Sequence, residues 1–125
     1  MNCIKNRFLF FVYLVTLLSC KQHTEKGIEV IIKNSSSSTI HGLEVGTSEK
    51  LAAINSLELN PDQELNTFVP MKENKTDGSY GVRYTLADGR KENLKVGYYT
   101  NGAPLERSMY ITIENDTTLV TFSKY

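Results

Sequence analysis

The chain has 125 residues, with 14 Lys and Arg balanced by 14 Asp and Glu, two histidines, two cysteines and no tryptophan. That length supports one domain with a core of its own. A formal charge of zero, with no basic stripe or Lys/Arg cluster to collect phosphates, argues against nucleic-acid binding.

The first element is a leader. Lys5 and Arg7 precede an apolar run from Phe8 to Leu18, and small Ser19 stands before Cys20, the three-part layout of a secretory signal. As a helix this run of about 11 residues rises roughly 16 Å against a hydrocarbon core of about 30 Å, too short to span a membrane. The tetrad Leu17-Leu18-Ser19-Cys20 resembles the lipobox of bacterial lipoproteins, a resemblance confined to residues 1–20. It implies a diacylglyceryl group on the Cys20 sulfur, cleavage before Cys20 and, in Gram-negative cells, acylation of the new amine. Two or three chains make a durable anchor where one binds only marginally, since each buried CH₂ contributes about 0.8 kcal/mol. An ordinary cleaved signal and an uncleaved one are the other readings of the same stretch.

On the lipoprotein reading residues 1–19 are signal peptide. Cys3 leaves with them, and Cys20 becomes the sole cysteine, so lipidation removes what would be a free thiol in an oxidising compartment. A Cys3–Cys20 bridge in an unprocessed chain is the alternative. Lys21 stands where lipoproteins carry an aspartate that retains them at the inner membrane, so the resemblance implies the outer membrane, facing the periplasm. Loss of Lys5 and Arg7 leaves 12 cations against 14 anions, a balance of −2. Residues 20–27 form the lipidated cysteine and a polar tether, and the seven residues from Lys21 to Gly27 reach roughly 20 Å when extended.

A β domain is expected over residues 28–125. Ile28, Val30 and Ile32 alternate in a β-branched strand that stops at the polar tract 34–38. Thr39–Thr47 forms a weaker strand, whose Gly42 and Gly46 suggest a bulge or close backbone approach. Ile54–Leu59 is a short strand closed by Asn60-Pro61-Asp62, although Leu51–Ile54 also suits one helical turn. Leu65–Met71 follows, placed at an edge or at its own end by Pro70. Lys72–Gly78 reads as an exposed loop.

Tyr80, Val82, Tyr84 and Leu86 then alternate with polar or small residues, as a half-buried antiparallel strand requires. Asp88-Gly89 supplies the turn, and Leu94, Val96 and Tyr98 resume the alternation on the return strand. After Asn101-Gly102-Ala103-Pro104, Met109, Ile111 and Ile113 alternate, Asn115-Asp116 turns, and Val120 and Phe122 share one side of the last strand. Seven to eight short strands without a helical apolar stripe predict an all-β, antiparallel two-sheet sandwich, immunoglobulin-like in architecture, with a small closed barrel as runner-up. The segment Gly97–Gly102 with Ile111-Thr112-Ile113 and Asp116-Thr117 resembles the C-terminal half of small bacterial lipoproteins that carry a β domain, a likeness that implies no activity.

The chemistry-bearing residues are sparse. His41 is the one histidine of the β domain, too isolated for nucleophilic catalysis, and His23 falls in the tether. With no thiolate to spare, a transition-metal site is not expected, and Asp77-Gly78, Asp88-Gly89 and Asp116-Thr117 read as turns rather than calcium ligands. Glu58, Glu64, Glu106 and Glu114 read as strand or loop charges rather than a glycosidase pair. Neither a cofactor nor enzymatic activity is expected. Adjacent Tyr98 and Tyr99 must point to opposite faces, and the partner surface is expected near Tyr99, Asn101 and Gly102. The expectation is a monomeric envelope binding or structural module, held to the membrane by lipid on Cys20 and contacting an envelope protein. An immunity lipoprotein that neutralises a toxin acting in the periplasm is the alternative.

Overall fold

A computed structural model of the chain describes residues 25–50 and 53–125. The expected leader, Cys20, most of the expected tether and the first half of the alternative helical turn at 51–54 lie outside the described residues; Ile54 belongs to a strand. Among the described residues there is no helix, and nine strands form two packed sheets.

The strands are β1 (Gly27–Asn34), β2 (Ile40–Thr47), β3 (Ala53–Leu59), β4 (Glu64–Pro70), β5 (Gly78–Thr85), β6 (Lys91–Thr100), β7 (Ala103–Pro104), β8 (Ser108–Ile113) and β9 (Thr118–Ser123). One sheet has the order β4-β1-β8-β9 and the other β3-β2-β5-β6-β7. The two-layer all-β sandwich read from the sequence is therefore the architecture, with the two-residue β7 taking the count to nine strands where seven to eight were expected. Every pairing is antiparallel except β1 with β8, which run parallel in register Val30 to Met109 and Ile32 to Ile111. No crossover helix is needed there, because the chain between them builds the whole of the opposite sheet together with β4.

Alternation decides what is buried. Ile28, Val30 and Ile32 of β1, Tyr80, Val82 and Tyr84 of β5, and Met109, Ile111 and Ile113 of β8 all lie in the core, as a period of two requires of strands with one buried face. The bulge expected in β2 sits at Gly42, where φ is +58° and the register to β5 shifts between His41 and Glu44. β4 ends on Pro70 and is an edge strand, so no neighbour needs the missing N–H. Gly89 takes the positive φ, +85°, of the β5–β6 turn. The hydroxyl groups of Tyr84 and Thr118 bond across the sandwich from β5 to β9.

Candidate functional site at the β1 start of the sandwich

β1 begins at one end of the sandwich, seven residues after Cys20, and the same end collects the loop between β4 and β5, the β2–β3 connection and the β6–β7 turn. The loop expected to be exposed over Lys72–Gly78 is exposed at Lys72, Glu73, Lys75, Thr76 and Asp77 but has a buried centre, and its last residue, Gly78, opens β5. Asn74 is 2% exposed, and its amide donates to Thr47 Oγ1 at 2.9 Å, Glu49 Oε2 at 2.9 Å and, more weakly, Tyr99 Oη at 3.4 Å. Met71 beneath it is fully buried, its N–H on the Lys26 carbonyl at 2.8 Å, while Lys26 Nζ reaches the Asn74 carbonyl.

Two carboxylates fasten this loop to the sheets. Glu49 Oε1 accepts the backbone N–H groups of Lys75 and Thr76, and Oε2 accepts the Tyr99 hydroxyl at 2.9 Å beside the Asn74 amide. These donors, led by the Lys75 N–H, outweigh partial desolvation and hold the Glu49 carboxyl down to about 2. Asp77 Oδ1 accepts the Asn101 N–H at 2.8 Å and the Thr100 hydroxyl at 3.0 Å, while Oδ2 accepts the Tyr98 hydroxyl at 2.8 Å. The Asn101 N–H is the main reason the Asp77 carboxyl also lies below its ordinary value, and the hydrogen bond from the Tyr98 hydroxyl to Asp77 pushes the Tyr98 phenol up. The Gly102 N–H adds a bond to the Thr76 carbonyl at 2.7 Å.

The three residues expected at a partner surface do meet here, with one face reversed. Tyr99 is fully buried and Tyr98 is 50% exposed, the opposite of what unbroken alternation from Leu94 and Val96 predicts. The cause is a bulge in β6. Tyr80 pairs with Val96 but Gly78 with Tyr99, so β6 advances three residues while β5 advances two. Gly97 takes φ +62° at that step, and a Cβ there would sit 2.6 Å from Phe122 Cζ and 3.0 Å from Tyr80 Cδ2. The slip turns Tyr99 inward, its ring centroid 5.5 Å from that of Tyr80. Gly102 is also buried, its Cα so close to the loop that a Cβ would lie 2.0 Å from the Asn74 carbonyl oxygen. Asn101 is exposed, as expected.

Sequence reasoning missed Glu49 and Asn74 as fasteners and read Asp77 only as a turn residue. Their bonds span 21 to 50 positions, and no local pattern signals them. His41 is exposed, 3.5 Å from Glu58. No group of three or more His, Cys, Asp or Glu among the described residues is placed to hold a metal ion. On the flank of the same end an open cleft of about 560 Å³ lies among Glu25, Gly27, Phe68, Arg107 and Tyr125. The Phe68 ring covers Gly27 so closely that a Cβ on the glycine would meet it at 2.5 Å.

No family model matches the sequence, and no curated protein matches it. Among solved structures the chain is similar to the NMR structure of a protein from Eubacterium rectale, at 11% identity and a TM-score of 0.56. The alignment covers 83% of this chain and 95% of that one. At such identity the likeness concerns the fold alone, a two-sheet β architecture.

Proposed function

We propose that this chain is a lipid-anchored binding module of the bacterial cell envelope, held by acyl chains on Cys20 at the periplasmic face of the outer membrane and without catalysis of its own. The observation that carries the binding role is the fastened loop. Glu49 and Asp77 spend their lone pairs on internal donors, so they act as fixings rather than as acids or bases. What they fix is a preorganised surface on which Tyr98 and Asn101 stand exposed. A rigid aromatic beside an amide contacts a protein partner at low entropic cost. The short reach from Cys20 to β1 fits a domain carried close to the bilayer.

Crosslinking in intact cells tests both halves of this reading. The captured wild-type protein should have a mass that begins at Cys20 and includes acyl chains, whereas Cys20→Ala should remain an unprocessed precursor. The pair Tyr98→Ala with Asn101→Gly, the glycine chosen because Asn101 holds a positive φ of 49°, should weaken partner capture while a cooperative melt is kept, its midpoint lowered by the lost Tyr98–Asp77 bond. Wild-type protein without acyl mass would sink the anchor. Undiminished capture by the folded double variant would sink the surface.

A further inference from the structure

The four sheet edges differ in how they are guarded against added strands. β4 carries Glu64 and ends on Pro70, and β3 carries Glu58. β7 is two residues with Pro104, so the sheet edge beside it is formed by β6, which carries Lys91, Glu92, Lys95 and the Gly97 bulge. β9, Thr118-Leu119-Val120-Thr121-Phe122-Ser123, has no charge, proline, glycine or bulge, and among the described residues no strand lies beyond it. Edges of this kind are open templates for another strand.

The ladder shows which groups are on offer. The Glu114 N–H bonds to the Thr117 carbonyl at 2.9 Å, making that a hydrogen-bonded pair. Antiparallel alternation then points the backbone of Leu119 and Thr121 toward β8 and that of Thr118, Val120 and Phe122 outward. Beneath this edge the seam between the sheets is incompletely closed, because Val120 and Phe122 of β9 and Leu94 and Val96 of β6 are only half-buried. At the Thr118 end the seam widens into a cavity of about 210 Å³, where Glu92, Glu114 and Asp116 face a single cation, Arg90. That guanidinium is already 3.8 Å from Glu92 and 4.0 Å from Asp88.

We propose that the β9 edge is a strand-addition site for an extended segment of a partner protein, six residues or so long, uncharged and apolar at alternate positions, with a Lys or Arg at its C-terminal end. Only a backbone in extended form satisfies three successive outward N–H and C=O pairs at this spacing. An antiparallel strand sets its residues opposite Thr118, Val120 and Phe122 on the seam side, over Leu94 and Val96, which selects apolar side chains there. It also brings its C-terminal end to Glu92, Glu114 and Asp116, which selects the cation. This surface is separate from the loop surface around Tyr98 and stands or falls independently of the lipid anchor.

The test uses the full-length chain in detergent and a synthetic octapeptide of alternating threonine and valine ending in lysine, with its C-terminus amidated so that the lysine is the charge at that end. Titration should shift the backbone amide resonances of Thr118, Val120 and Phe122 and slow their hydrogen exchange. Replacing the terminal lysine by glutamate should weaken binding about tenfold or more, and N-methylation of the valines should abolish it. Shifts confined to β3 or β4, no shifts at all, or undiminished binding of the N-methylated peptide would overturn the proposal. So would concentration-dependent protection of β9 without peptide, which would give the edge to a second copy of this chain.

Discussion

Glu49 shows how much one side chain can do when all its acceptors are used. Its folded carboxyl, near 2, lies well below the value of about 4.3 expected in the unfolded chain. It therefore stabilises the folded state fully above that unfolded value, and the contribution is lost as pH falls from about 4.3 toward 2. Glu49→Gln should lower the melting temperature at neutral pH, and the gap between variant and wild type should narrow steadily between pH 5 and 2. A thermal melt series across that range checks it, and a gap that does not depend on pH would assign the loss to packing rather than to charge. Asp77 shifts in the same direction and leaves a residual acid dependence in the variant.

At the scale of the element, β6 is the instructive case. Its first part alternates as a strand facing one core should, with Leu94 and Val96 inward, and then Gly97 absorbs one extra residue. The left-handed backbone at Gly97 alone would cost an alanine about 1 to 2 kcal/mol, and the packed rings of Phe122 and Tyr80 add a clash. Gly97→Ala should therefore destabilise the domain more than Gly42→Ala, since Gly42 shares the positive φ but has open space where the Cβ would go. Denaturant midpoints of the two variants give the comparison. Equal losses would mean that the rings move aside and that the bulge is held by something other than Gly97.

For the whole molecule the question is whether both sheets share one core. Val82 lies at the centre of β5, fully buried and registered against Val45 on one side and Leu94 on the other. An unpaired charge there costs several kcal/mol, against a total stability of about 5 to 15. Val82→Asp should abolish the cooperative melt and the near-ultraviolet circular dichroism of the buried tyrosines. A preserved transition would show that the two layers are not one cooperative unit.

The strands themselves were legible in the sequence, because period-two alternation in Ile28–Ile32, Tyr80–Leu86 and Met109–Ile113 depends only on backbone geometry within each segment. The bulge at Gly42 and the edge position of Pro70 were legible for the same reason, since a glycine in a strand and a missing N–H constrain their own surroundings. Strand order, the parallel pairing of β1 with β8, the inward turn of Tyr99 and the fastening of loop 72–77 were decided only in the tertiary structure. Each depends on groups far apart in the chain. The bulge at Gly97 is packed by Phe122 from another strand, and Glu49 finds its donors 25 to 50 positions away. Local pattern tells a residue which face it prefers, but only long-range packing and hydrogen bonding can shift that face by one position and make the shift stable.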